Sequence, residues 1–163
     1  MLGKTIVAPA SAPGRGGVSV IRMSGANAKA IAEDMCGGLA QSWKFRKCKI
    51  KSTDGLVLDS GLVVFFESPH SYTGEDVVEF HCHGNPTIVN LIVEDVIKRG
   101  AVIAEPGEFT KTAFLNDKID LAQAESVSDL INAQSKSAVI AANSSLSGNF
   151  SSSVDLIVEG LVS

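Results

Sequence analysis

Three features of this 163-residue chain predict an α+β fold: a mixed sheet with helices packed on it, followed by an α-helical segment. Short β-branched runs punctuated by glycine and proline recur as far as Ala104. Two stretches with apolar residues at helical spacing interrupt them, and from Gly107 onward Ala, Gln, Asp, Glu and Leu take over at three- and four-residue steps. The predicted order is strand, strand, helix, strand, strand, strand, helix, strand, then helices, the pattern of a sheet with helices on one face and a helical appendage.

Thr5 to Ala10 and Val18 to Met23 read as strands joined by Ser11-Ala12-Pro13-Gly14-Arg15-Gly16-Gly17. Ser24 is placed to cap a helix from Ala26 to Met35, which Gly37-Gly38 stops. Phe45 to Lys51 alternates basic and apolar residues as an edge strand does, and Asp54-Gly55 is a hairpin signal before a strand from Gly61 to Glu67. Val77 to Cys82 is a further strand, closed by an Asn85 N-cap and Pro86 at the first helical position. The helix that follows, Pro86 to Arg99, carries Ile88, Val89, Ile92, Val96 and Ile97 on its apolar side, with Gly100 as its stop and a short strand at Ala101 to Ala104. Leu121, Ala124, Val127 and Ile131 then form one helical stripe; Val139, Ala142, Leu146, Phe150, Val154, Ile157 and Leu161 form a longer one. That second stripe is still apolar and uncapped at Ser163, so the expectation is a chain that continues beyond it. The domain boundary is placed near Asn116-Asp117-Lys118, giving domains 1–117 and 118–163.

Bulk properties narrow the function. A composition 45% hydrophobic and 20% charged is globular, and a net charge of −4 with pI near 5.3 lacks the basic surplus of a chain that wraps RNA unaided. Cys36, Cys48 and Cys82 form no CxxC pair, so neither a zinc ribbon nor a redox pair is suggested, and reduced, buried thiols are expected. No apolar run reaches transmembrane length and no secretory or transit layout opens the chain, so a cytoplasmic location without membrane contact is expected.

Candidate chemistry concentrates in a few segments. Gly14-Arg15-Gly16-Gly17 invites a phosphate-binding reading, but a phosphate loop needs strand, glycine loop, then helix, and here a strand follows. A turn-forming loop is favoured, with Arg15 and the backbone N–H groups meeting an anion as the lesser alternative. His81-Cys82-His83 is metal-friendly in type but short of ligands, and alternation puts Cys82 with Val78 and Phe80 towards the core, away from a nucleophile's position. Val77, Glu79 and His81 share the other face, and a carboxylate in mid-strand with an imidazole two residues on marks a face that meets water or holds a ligand.

The segments Thr5-Ile6-Val7-Ala8 with Gly14 to Gly25, Thr73 to Pro86, Pro106-Gly107-Glu108-Phe109-Thr110 and Ala113 to Glu125, in that order, resemble the N-terminal part of the tRNA-modification GTPase MnmE/TrmE family. The resemblance implies a folate-binding domain like that of the glycine-cleavage T-protein, which is also the homodimerisation domain. It assigns binding of formyltetrahydrofolate, or a related reduced folate, to Arg22, Glu79 and Lys118. The chemistry suits: a pterin presents an N–H beside an amino group, which Glu79 can accept as a pair, while Arg22 or Lys118 can neutralise the glutamate tail. For Arg22 the competing reading is an exposed strand-end charge, and for Lys118 a solvated cation paired with Asp117 or Asp120. In the family, GTP with its Mg and K belongs to a GTPase domain that these residues do not include, so this chain by itself is expected to be non-catalytic. The whole enzyme modifies the wobble uridine of certain tRNAs with the flavoprotein MnmG. Two other functions compete, a structural dimerisation scaffold without ligand and a stand-alone folate-dependent one-carbon transferase. Roles for Arg15, His81 and His83 do not follow from the sequence.

Overall fold

The computed structural model describes residues 3–148, and these fall into two compact units, Met1–Phe109 and Thr110–Ser163. The first unit is built on a six-stranded mixed sheet, β1 (Ile6–Pro9), β2 (Gly16–Ser24), β3 (Arg46–Lys51), β4 (Val57–Phe66), β5 (Val77–Gly84) and β6 (Val102–Ile103), in the spatial order β3-β4-β5-β2-β1-β6. All neighbours are antiparallel except β1 and β6, which run parallel. Two helices complete the unit, α1 (Ala28–Cys36) and α2 (Pro86–Lys98). The element order matches the one expected from the sequence.

One face of the sheet makes the core. Val7, Ile21, Met23, Cys48, Ile50, Val63, Phe65, Val78, Phe80 and Cys82 pack against Ile31, Ala32 and Met35 of α1 and Val89, Ile92, Val93 and Val96 of α2. These are alternate strand residues, so the period-two pattern of β2, β4 and β5 sends the intervening residues to the opposite face, away from α1 and α2. Phe80 is fully buried at the centre, as the alternation of β5 requires. Gly61 allows β4 to come this close to β5: a Cβ there would lie 2.2 Å from the carbonyl oxygen of His81.

Local signals behave mostly as read. Asn85 caps α2 by accepting from the backbone N–H of Thr87 at 2.8 Å, with Pro86 next in line. Gly37, at φ 68°, ends α1 in the left-handed conformation, and the N–H of Gly38 returns to the carbonyl of Glu33. Ser24 is a correction. It does not cap α1, whose N-cap is Asn27; the backbone N–H of Asn27 is satisfied instead by Thr5 Oγ1 at 2.9 Å. Ser24 is buried at the end of β2, and long-range partners have claimed its hydroxyl. Gly3-Lys4-Thr5 carries the Gly-Lys-Thr triplet of a phosphate loop, but a strand follows it where such a loop needs a helix. It leads into strand β1, and Lys4 Nζ pairs with Glu108 at 2.6 Å.

Helix α3 (Glu108–Leu115) spans the division between the units, which therefore lies earlier than the expected boundary after Asp117. The second unit contains α4 (Leu121–Asn132) and α5 (Lys136–Leu146). Asp120 and Gln123 form a reciprocal capping box at the start of α4, and Gln123 Nε2 also donates to the carbonyl of Leu146. Ser126 and Ala142 are buried here, whereas Leu121 and Ile131 of the first expected stripe are exposed. Of the second stripe, α5 carries Val139, Ala142 and Leu146 and ends there with Ser147 as its C-cap; Phe150, Val154, Ile157 and Leu161 lie outside the described residues. No helix among the described residues is long and apolar enough to cross a membrane.

Candidate functional site

The face of the sheet turned away from α1 and α2 holds the site. Arg22 on β2 stands directly opposite Glu79 on β5, and Glu79 in turn faces Val64 on β4. Arg22 Nε donates to Glu79 Oε1 at 2.9 Å, and its Nη2 lies 2.8 Å from the same oxygen. The other carboxylate oxygen, Oε2, is 3.3 Å from Nε2 of His81, the next residue on that face. Side-chain exposure is 27% for Arg22 and 14% for Glu79, so the pair is partly shielded and still reachable. Arg22 thus sits within β2 as half of a cross-strand ion pair, and the strand-end reading of it is replaced.

Aromatic rings surround this pair. The guanidinium carbon of Arg22 lies 5.2 Å from the ring centroid of Tyr72 and 5.7 Å from that of Phe109, within cation–π range. Each ring is delivered by a separate device. The loop carrying Tyr72 is tied to β2 through the Ser24 hydroxyl, which meets Thr73 Oγ1 and Glu75 Oε2, both at 2.7 Å, and through the N–H of Gly25, which donates to Asp76. Phe109 follows Glu108, whose carboxylate accepts from the backbone N–H of Glu105 and pairs with Lys4. The hydrogen bond that Lys4 donates to Glu108 stabilises the charged form of Lys4 and moves its pKa upward. On the β4 side, Phe45 stacks edge-on against His81 at 5.2 Å, and Trp43 stacks edge-on against Phe66 at 4.6 Å.

Further along β5, His83 meets Asp59. The backbone N–H and Nδ1 of His83 each lie 2.8 Å from an oxygen of the Asp59 carboxylate. Burial pushes the pKa of Asp59 up, but the His83 hydrogen bonds and one from the Ser60 N–H outweigh it and leave the group below its usual value. Cys82, between these histidines in sequence, points into the core, where burial raises its thiol to about 11. Among the described residues no cluster of three or more His, Cys, Asp or Glu is arranged to hold a metal.

Of the three residues singled out from the sequence, Arg22 and Glu79 meet in the first unit. Lys118 belongs to the second unit, in the turn after α3, where Asp117 has φ 55° and the Lys118 N–H donates to the carbonyl of Ala113. Arg15 lies in the β1–β2 loop. Sequence reasoning assigned no role to Tyr72, Phe109, Phe45 or His81. Phe109 lay within a motif that had already drawn notice, Pro106 to Thr110, whereas only tertiary folding brings Tyr72 over Arg22.

Residues 5–118 match the family described as "GTP-binding protein TrmE N-terminus". The chain belongs to the TrmE family. It is 50% identical over 158 residues to the tRNA modification GTPase MnmE of Neisseria meningitidis serogroup B, an alignment covering 97% of this chain and 35% of that protein. The MnmE of Hydrogenovibrio crunogenus is 49% identical over the same shares, and that of Laribacter hongkongensis 48% identical over 99% of this chain and 36% of the relative. The chain therefore spans about a third of the length of these relatives. The matched residues correspond to the N-terminal region of this family.

Proposed function

We propose that this chain is the folate-binding and dimerisation module of a tRNA-modification GTPase, and that Arg22, Glu79 and Lys118 hold formyltetrahydrofolate or a related reduced folate. The single observation that carries the reading is the partly exposed Arg22–Glu79 pair on the sheet face away from α1 and α2, with the rings of Tyr72 and Phe109 over the guanidinium. Glu79 Oε1 accepts from two Arg22 nitrogens, but among the described residues Oε2 has only the 3.3 Å contact with His81. Oε2 is the atom to accept from a pterin amino group or ring N–H, while the aromatic side chains give a fused heterocycle apolar surface to lie on. Arg22 or Lys118 supplies the positive charge for the anionic tail. Calorimetric titration of the chain with formyltetrahydrofolate tests this; absence of heat and of ligand-induced thermal stabilisation overturns it.

Homodimerisation through this first domain is the second half of the proposal. Trp43, Phe45 and Leu62 are 64%, 56% and 42% exposed beside the site, a concentration of apolar surface suited to burial against a second copy. Light scattering at micromolar concentration reads the mass directly, and a monomer removes the claim. The larger assembly belongs to the same reading: a cytoplasmic enzyme that uses GTP, Mg and K, acting with an MnmG-type flavoprotein on the wobble uridine of tRNA. A ligand-free scaffold is the second reading. It is favoured by Glu79 being satisfied already within the protein by Arg22 and His81, and a null folate titration with an intact dimer would select it.

A further inference from the structure

Cys36 and Cys48, twelve positions apart, come together in the fold with their sulfurs 3.0 Å apart. Cys36 is the last residue of α1 and Cys48 lies on the edge strand β3; each is 7% exposed, at the margin of the core. Arg46, two residues before Cys48, already clamps these elements: its Nη1 donates to the carbonyl oxygens of Cys36 and Gly38. A disulfide needs sulfurs about 2 Å apart, so closing the bond takes a shift of about 1 Å. The third thiol, Cys82, is taken up separately, donating to the carbonyl of Ser19.

We propose that Cys36 and Cys48 form a redox-responsive pair, closed by a peroxide into a reversible disulfide that ties the end of α1 to strand β3. The two thiols differ. The hydrogen bond from Cys36 lowers the pKa of Cys48 against its burial, and the Arg46 guanidinium adds to this; that bond, followed by burial, raises Cys36. Cys48 is therefore the attacking thiolate. It displaces hydroxide from hydrogen peroxide, forming an S–O bond as the O–O bond breaks, and becomes a sulfenic acid. Cys36 gives its proton to the hydroxide, making water. Its thiolate then attacks the Cys48 sulfur, so that the S–S bond forms, the S–O bond breaks, and the departing hydroxide takes a proton from solvent. Counting the proton that Cys48 released to solvent on ionising, two thiols and one peroxide give one disulfide and two waters. A dithiol reductant reverses the bond by exchange. The cross-link closes the base of the segment that carries Trp43 and Phe45, the rings beside His81 and Phe66.

The test exposes the folded chain to hydrogen peroxide, then alkylates it in denaturant for intact-mass and non-reducing peptide analysis. The expected result is loss of two hydrogens, a peptide pair linked Cys36 to Cys48, one alkylated thiol at Cys82, and restoration of all three by dithiothreitol. Emission from Trp43, the only tryptophan, shifts on oxidation of the native chain and not of Cys36→Ser. In Cys36→Ser the oxidation stops at an oxygen added to Cys48. Oxygen addition without a cross-link in the native chain, a bridge to Cys82, or a bridge that survives Cys36→Ser overturns the proposal; an unchanged emission in the bridged protein overturns its link to the Trp43 segment.

Discussion

Glu79→Gln is the substitution that most directly examines the proposed site. It keeps the shape of the side chain and removes its charge. In the folded chain Glu79 accepts from two Arg22 nitrogens at 2.9 and 2.8 Å and lies 3.3 Å from His81, so the amide can retain one Arg22 contact but not a charged pair. Towards the ligand, Oε2 loses a charge-assisted hydrogen bond to the pterin, about 1.5–3 kcal/mol, which corresponds to about 10- to 150-fold in Kd. Part of the loss is indirect, because Arg22, released from Glu79, is no longer held beneath Tyr72 and Phe109. Arg22→Gln separates the two contributions. If Arg22 acts by holding Glu79, its substitution weakens folate binding in the native background and adds little in Glu79→Gln, a non-additivity that a double-mutant cycle reads. The assay is isothermal titration with formyltetrahydrofolate at fixed salt, with circular dichroism establishing that each variant is folded. An affinity change below about threefold in a folded Glu79→Gln chain refutes the role given to its carboxylate.

Three further outcomes are expected. Gly61→Ala forces a Cβ against the His81 carbonyl and destabilises the chain by about 1–3 kcal/mol in urea unfolding, and a native-like midpoint would show that β4 can move away freely. Asn85→Ala removes the acceptor for the Thr87 N–H at the start of α2 and costs about 1 kcal/mol by the same measurement. Asp59 has a folded pKa below its ordinary value of 3.8, so its ionised form stabilises the fold above that pH and the contribution fades as pH falls through the folded value. The stability gap between the native chain and Asp59→Asn should therefore narrow below about pH 4 in acid unfolding; a gap that widens over that range contradicts the sign.

The sequence by itself determined the order of elements, the inward face of β5 and the family. Alternation is a local property: Val78, Phe80 and Cys82 must point one way and Glu79 and His81 the other wherever the strand lies, and the N-cap and proline before α2 act within one turn. The role of Ser24 could not be read in this way. Its hydroxyl suits an N-cap, yet Thr73 and Glu75 compete for it from a loop some fifty positions away. Helical spacing likewise failed to mark the end of α5 at Leu146, because polar Ser147 and Gly148 fit between the stripe residues without breaking the period. Only the tertiary structure decided that Arg22 faces Glu79, since strand order and register set that contact, and a slip of one residue would have sent Arg22 to the core. The same holds for Tyr72 over Arg22 and for Cys36 beside Cys48: a helix end and an edge strand, joined by a segment with no period of its own, meet because the core on both sides fixes where each must pack.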